Sequence, residues 1–332
     1  MFRCCIVAEE GHSYCAYFQL QIVNVQLPMD WFKKHRQRHP DQQHEAPPGA
    51  PPGWAPAVEQ SCTYGLQNEA SDESYEKALE FCERHPVESS TILPSWTIAD
   101  IDSNGCSEWR IQVHDSSPVA VVHNSDGKGG LSQIRSRTGC PDTCLLSNLP
   151  IVAGQYHFPN DGGVYFEITV NKMTDPNKGG VIAIGTACRP YPSWRLPGWN
   201  RLSAGLHLDD FHKFFEDPEG GRPYFPGSPP ITSVVGHTIG CGYSFHTGTM
   251  FFTIDGQRLP DAFTGVYLQN RCEIDVYAAV GVSGECDVSV NFGGSSFKWL
   301  EGNEWRWRVD RQVRKLGDDV GEQEELPAYS AR

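Results

Sequence analysis

The sequence predicts an all-β protein whose core is an antiparallel two-sheet sandwich. The chain has 33 glycines and 24 prolines among 332 residues, which indicates many turns and short strands. Several segments alternate apolar and polar residues with the period of a strand, and turn residues separate them. No helical pattern lies between these segments, so we expect antiparallel sheets and no alternation of strands with helices.

The first part of the chain, residues 1–69, is predicted to be a largely disordered segment that includes a linker. The stretch PDQQHEAPPGAPPGWAPAVEQ at 40–60 is polar and rich in proline, as extended linkers are. The apolar run at 15–29 is shorter than the about 20 apolar residues that a membrane-spanning helix needs. The basic stretch KKHRQRH at 33–39 suits either a membrane surface or a solvated run of charges.

Residues 70–89 are predicted to form a short amphipathic helix. Ser71 can cap its start, acidic residues fill its first turn, and Pro86 ends it. The apolar face of this helix is predicted to consist of Tyr75, Ala78, Leu79 and Cys82.

Residues 90–310 carry the predicted strands. GGVYFEITV and DVSVNFG alternate, and VIAIGTA is a short buried-strand candidate. In GTMFFTIDGQRL, Asp255 and Gly256 supply the positive φ angles that a tight hairpin turn needs. The inward face of the first of these strands is predicted to consist of Val164, Phe166, Ile168 and Val170.

Charge and cysteine usage narrow the classes of partner and site. The formal net charge of −14 disfavours nucleic acid as a partner of the whole molecule. Cys140 and Cys144 stand close together in CPDTC, but no second pair stands at the spacing of zinc ligands. We therefore expect reduced, mostly buried thiols, with no metal site and no cofactor.

Motifs of catalysis are missing from the sequence. It has no phosphate-binding loop, no G-x-G-x-x-G after a strand, no H-E-x-x-H and no G-x-S-x-G. A glycosidase sandwich would need paired carboxylates, but Glu167 is alone on its strand and FEDPE at 215–219 indicates a turn. The sequence therefore predicts a protein that is not an enzyme.

The stretch RPYPSWRLPGWNRLS has two interpretations, which can hold for different side chains. Its prolines fix an extended backbone, and Gly198 allows a tight bend. In the first interpretation the stretch covers one end of the sandwich, and Trp199 and Leu196 belong to the core. In the second, the rigid loop presents Tyr191, Trp194 and Arg195 to a partner, because such residues dominate interface hot spots.

Taken in order, five segments resemble the SPRY domain. They are GGVYFEITV, VIAIGTA, RPYPSWRLPGWNRLSAGLHLDD, GHTIGCGYSFHTGTMFFTIDGQRL and VGVSGECDVSVNFG. The resemblance covers about residues 90 to 300 and is closest to the Ran-binding-protein-M-like branch, within it to fungal adaptors of the endosome and vacuole. It implies a concanavalin-like SPRY sandwich whose loops at one rim bind peptides or partner proteins, without catalysis.

The resemblance also places the H-x-D-D step near the binding rim, although a strand end with a solvated acidic turn is the alternative. The loop at 219–230 is a plausible second wall of the site. The predicted partner-binding residues are Tyr191, Trp194, Arg195, Trp199, Arg201, His207, Asp209, Asp210, Tyr224 and Phe225.

The tail, residues 311–332, is acidic and predicted to be disordered at its end. Leu326, Pro327 and Tyr329 form an L-P-x-Y step, a variant of the P-P-x-Y ligand of WW domains. The fungal adaptors that the chain resembles carry such steps and recruit a WW-domain HECT ubiquitin ligase. They also usually carry an N-terminal transmembrane helix; none is predicted from this sequence, so membrane association is implied only by the resemblance.

The leading functional hypothesis is a non-catalytic adaptor that binds a protein cargo at the SPRY rim and a ubiquitin ligase at the tail. It would work at the cytoplasmic face of endosomes or the vacuole and promote cargo ubiquitination and sorting. One alternative is a scaffold subunit of a larger complex, which needs the rim but not the tail. Another is a carbohydrate-binding sandwich.

Overall fold

The computed structural model describes residues 71–113, 117–123, 129–159, 161–218 and 220–317. The predictions for the N-terminal segment, its proline-rich linker and the L-P-x-Y motif of the tail lie outside these residues.

Within the described residues, the strands form two antiparallel sheets, one of seven strands and one of six. In chain order the strands are β1 Ala120–His123, β2 Leu131–Arg135, β3 Thr143–Leu146, β4 Gly163–Met173, β5 Val181–Cys188, β6 Ser203–His207, β7 His212–Phe215, β8 Arg222–Pro223, β9 Thr238–Ser244, β10 Thr249–Ile254, β11 Gln257–Phe263, β12 Val276–Ser283 and β13 Cys286–Asn291. The first sheet has the order β1-β2-β13-β4-β9-β10-β11, and the second has the order β3-β12-β5-β6-β7-β8. The predicted all-β, two-sheet antiparallel fold is confirmed.

β4 is buried on both faces. The face that the alternation assigned to the core lies in the main hydrophobic cluster between the sheets. On the opposite face, Tyr165 packs at 4.9 Å against the rings of both Phe297 and Trp299. The stretch that follows β13 therefore covers the outer face of the first sheet.

Two α-helices precede the strands in the described part of the chain. Helix α1, Asp72–Arg84, begins where the sequence predicted, and the Ser71 hydroxyl accepts a hydrogen bond from Ser74 N at 3.2 Å. Helix α2, Ser95–Asn104, was not predicted. No side chain caps its start, its first turn has no acidic residue, and Ile101 is its buried residue. It therefore lacks the start signals and the apolar stripe from which a helix is inferred.

The end of the described chain consists of three 3₁₀ helices, Leu300–Asn303, Trp305–Trp307 and Val309–Arg314. Val313 is 1% exposed in the main core, so packing of the sandwich continues beyond the predicted limit at 310.

Candidate functional site

The residues that join β5 to β6, 189–202, lie across the outer face of the second sheet, and we call them the cover segment. Leu196 and Trp199 are buried and pack in one cluster with Phe214 of β7. Gly198 has a φ of 98°, and a Cβ there would lie 2.4 Å from Phe214 Cβ. The middle of the cover segment is thus packed tightly against the sheet, as the core interpretation of Leu196 and Trp199 expected.

The buried side chains of Tyr191 and Arg195 stabilise the cover segment through contacts with other residues of the same segment. The Tyr191 hydroxyl donates to the carbonyl oxygen of Leu196 at 2.6 Å. Arg195 Nε donates to Asn200 Oδ1 at 2.9 Å, and its guanidinium lies 4.4 Å from the centre of the Trp199 ring. Tyr191 is 9% exposed and Arg195 is 1% exposed, so neither side chain projects into solvent, and Tyr191 meets the groove described below only at its wall. They position their neighbours instead.

Trp194 remains at the surface, where α1 packs against it. The ring of Phe81 meets the indole edge-on at a centroid distance of 5.5 Å, and Lys77 Nζ lies 4.7 Å from the indole centre. The Arg201 guanidinium donates to two backbone carbonyl oxygens at the C-terminal end of α1. Two of the predicted partner-binding residues are therefore already engaged by the chain's own helix.

A groove of about 470 Å³ runs between α1, the cover segment and β3, which is an edge strand of the second sheet. Apolar and aromatic side chains make up more than half of its lining residues, and the others are polar or charged. The residues that line it are Phe81, Glu88, Gln112, Ser117, Pro118, Pro141, Asp142, Thr143, Cys144, Leu145, Leu146, Arg189, Pro190, Tyr191, Ser193 and Trp194.

The backbone of β3 is partly occupied along the groove. Cys144 N donates to the carbonyl oxygen of Ser193 at 2.8 Å, and the Leu146 carbonyl accepts from Gln112 N at 2.8 Å. Addition of a long extra strand at this edge would have to break these bonds. The groove is therefore suited to reading side chains.

The charged residues that line the groove are Glu88, Asp142 and Arg189. Arg189 Nη2 donates to Gln112 Oε1 at 2.9 Å and to the Ser147 carbonyl at 2.6 Å, and the guanidinium lies over the ring of Tyr277. Burial raises the pKa of the Asp142 carboxyl. Arg189 is thus engaged by the domain itself, and apolar contact dominates what the groove offers a ligand.

The H-x-D-D step divides between two environments. His207 is 1% exposed, stacks on Phe214 at 4.0 Å, and places Nε2 3.0 Å from the Pro197 carbonyl oxygen. Asp209 and Asp210 instead line a separate cavity of about 500 Å³. Burial, and then the neighbouring Asp210 carboxylate, raise the pKa of Asp209 to about 7. The His207 side chain is buried between the second sheet and the cover segment, whereas the two aspartates line the second cavity.

Tyr224 and Phe225 do not wall the groove. Tyr224 is buried, donates its hydroxyl hydrogen to the Pro260 carbonyl oxygen and packs edge-on against Phe252. Phe225 is half-buried and contacts the ring of Phe211, which lines the second cavity. Of the predicted partner-binding residues, the groove brings together Tyr191 and Trp194, with Arg195 and Arg201 beneath α1.

Sequence reasoning missed the contribution of α1 and β3 to the groove. The predicted apolar face of α1 omitted Phe81, and Leu79, which it included, is 43% exposed. The spacing of Lys77 and Phe81, one helical turn apart, could have indicated the face that meets Trp194. The strand TCLL gave no signal that it ends a sheet.

Glu167, the strand carboxylate considered for catalysis, is 5% exposed under the C-terminal stretch. It accepts hydrogen bonds from the Tyr165 hydroxyl and from Lys298 N, each at 3.2 Å. Among the described residues, no group of three or more His, Cys, Asp or Glu side chains is arranged to hold a metal ion. In the same residues, no helix has the length and apolar character needed to cross a membrane.

Comparison with known proteins finds similarity to one family of domains. Residues 163–295 match the family model described as the SPRY domain. Protein ssh4 of Sclerotinia sclerotiorum is 37% identical over 166 residues, which is 50% of this chain and 28% of that protein. Protein ssh4 of Neosartorya fischeri is 29% identical over 252 residues, 76% of this chain and 44% of the relative. The chain thus spans less than half the length of these curated relatives.

A SPRY domain-containing protein of Schizosaccharomyces pombe is 30% identical over 181 residues, 54% of this chain and 41% of that protein. Among solved structures, a human SPRY domain is 21% identical with a TM-score of 0.35, and the match covers 53% of this chain and 97% of that domain.

Proposed function

We propose that this SPRY-domain chain is a non-catalytic adaptor that binds a partner protein in the groove between α1, the cover segment and β3. The observation that carries the proposal is the groove itself, whose volume of about 470 Å³ lies in the range of ligand sites and whose walls are largely apolar and aromatic. Internal hydrogen bonds fix much of the backbone and several of the side chains that form the groove, so little conformational entropy of the groove is lost when a partner binds. Its walls include the half-buried Trp194, a residue type that dominates interface energetics.

The groove is tested by placing a charge in it. Leu146→Glu puts a carboxylate on a half-buried groove wall, and Val122→Glu puts the same charge on an exposed position of β1, where Val122 is 51% exposed. Proximity labelling of proteins around the full chain in cells should lose a set of partners with Leu146→Glu and keep it with Val122→Glu. Equal labelling by both variants and the wild type, with all three folded, would contradict the groove as a binding site.

We also propose that Leu326, Pro327 and Tyr329 recruit a WW-domain HECT ubiquitin ligase, so that a cargo held in the groove is ubiquitinated. The L-P-x-Y step supports this because a proline-containing extended ligand docks on aromatic grooves of WW domains. Tyr329→Ala should abolish capture of the ligase by the full chain and leave groove-dependent labelling intact. Unchanged capture would contradict the role of the L-P-x-Y step, and absence of ligase capture by the wild-type chain would favour a scaffold without ligase recruitment.

The third element of the proposal is location at endosomes or the vacuole. It is supported by the resemblance of the SPRY segments to fungal adaptors of these membranes. Fluorescence microscopy of the full-length tagged chain tests it, and a uniform distribution that is unaffected by Leu146→Glu and by Tyr329→Ala would contradict it.

A further inference from the structure

The cover segment recognises the end of α1 as a helix end. The Arg201 guanidinium donates to the carbonyl oxygens of Cys82 and His85. The last four carbonyl groups of any helix lack partners within the helix, and positive charge is favoured there. Arg201 therefore binds a feature that every helix offers, whatever its sequence.

Trp194 and Arg195 recognise one stripe along the same helix. Ser74 Oγ lies 3.4 Å from Arg195 Nη1, and Lys77 and Phe81 both contact the Trp194 indole. Residues spaced by three, four and seven positions lie along one side of a helix, which is the pattern of helix recognition in a groove. We call Trp194, Arg195 and Arg201 the helix-docking surface.

The attachment of α1 is slight for a helix of 13 residues. Ala78 is its only buried residue, and Leu79 remains 43% exposed. The indole N–H of Trp194 is buried without an acceptor among the described residues, which is a cost that another occupant could remove. Apart from Ala78, the apolar residues of the helix, Phe81 and Cys82 among them, are at most half-buried, so the helix-docking surface can bind a competitor that satisfies it better.

Departure of α1 would not detach the rest of the chain. Beyond the helix, Glu88 N donates to the Arg189 carbonyl oxygen at 2.8 Å, and Ser89 pairs with Ile274. The chain can therefore pivot between the helix end and Glu88. Because Phe81 is a wall of the groove, the same movement would open the groove on that side.

From these contacts we propose that α1 is a releasable occupant of the helix-docking surface and that a partner helix competes with it. The competing helix carries a basic residue and, one turn later, an aromatic residue, as Lys77 and Phe81 do. If the groove binds a partner protein, as proposed above, a helix that displaces α1 would also open the groove; this regulatory role rests on the proposed function. The competition itself does not depend on that function.

The test uses the full chain and a fluorescent synthetic peptide of residues 70–88 as the probe. Glu76→Pro breaks α1 in its middle, because proline lacks the N–H and clashes with the preceding turn, whereas Glu76→Ala keeps the helix. By fluorescence anisotropy, the peptide should bind the Glu76→Pro chain at least ten-fold more tightly than the Glu76→Ala chain. Adding Trp194→Ala to the Glu76→Pro chain should remove the binding. Equal affinity for the two Glu76 variants would overturn the proposal.

The main comparison of a second measurement uses only the wild-type chain and does not depend on the folding of a variant. In hydrogen exchange of the wild-type full chain, the amides of α1 should exchange at least 100-fold faster than those of β5. Arg201→Met should increase the α1 rate further and leave β5 unchanged. Exchange in α1 as slow as in β5 would overturn the proposal. Neither the peptide-binding assay nor the hydrogen-exchange assay involves a partner in the groove. A negative result in these assays would therefore overturn the release of α1 without contradicting the proposed function, which is tested by proximity labelling.

Discussion

His207 should make the stability of this domain depend on pH in a way that can be measured. Its ring is fully enclosed, and its pKa is lowered from 6.5 to about 3, mainly by burial; the hydrogen bond to the Pro197 carbonyl oxygen opposes this lowering and nearby His212 adds to it. As pH falls below 6.5, the unfolded chain takes up a proton at this site and the folded chain does not. The contribution of His207 to stability is therefore complete above pH 6.5 and declines toward acid. Between pH 7 and pH 5 the loss is about 2 kcal/mol.

The assay is urea unfolding of the full chain at both pH values, for the wild type and for His207→Phe. Phenylalanine can stack on Phe214 and cannot take up a proton. The hydrogen bond to Pro197 is lost in the variant at both pH values, so it cancels in the comparison. Other titrating groups also cancel when they are unaffected by the substitution. The wild type should lose about 2 kcal/mol more than the variant between pH 7 and pH 5. Parallel losses would refute the buried, neutral His207.

Two further substitutions test the packing of the cover segment by urea unfolding. Trp199→Ala should cost about 3–5 kcal/mol because Trp199 is 3% exposed, whereas Trp96→Ala, at 70% exposure, should stay within about 0.5 kcal/mol. A small effect at Trp199 would mean that the segment relaxes freely. Gly198→Ala should cost at least about 2 kcal/mol, from its positive φ and from the clash with Phe214. Gly139→Ala has a positive φ with nothing within 4 Å, so it should cost clearly less; equal costs would exclude the clash.

The strands that the sequence predicted are those with the simplest physical signal. The alternation of β4 and the Asp255–Gly256 turn of the β10–β11 hairpin depend on local geometry alone. Helix α2 was missed because it is stabilised by packing against the rest of the domain and lacks local sequence signals. Its N-cap position is Pro94, which offers no capping side chain, and its residue Ile101 is fully buried in the main core.

For the candidate site, the sequence predicted the types of residue present better than it predicted which of them are buried and which neighbours they contact. Trp194, which the fold leaves half-buried, was named, but so were Tyr191 and Arg195, which the fold buries. Residue type cannot distinguish these cases, since tyrosine and arginine serve equally to bind a partner or to satisfy buried polar groups. The position of Phe81 opposite Trp194 joins residues that are far apart in the sequence, and only the packed structure brings them together.

This arrangement separates the residues that build the surface from those that can meet a ligand. Arg195 and Tyr191 fix the backbone that carries Trp194, so the order of the loop is achieved during folding and need not be achieved again on binding. Substituting the buried residues would disturb fold and binding together, because their polar partners would be left unsatisfied. Binding is better isolated at half-buried groove walls such as Leu146, where a change of charge alters what a partner meets and leaves the supporting hydrogen bonds in place.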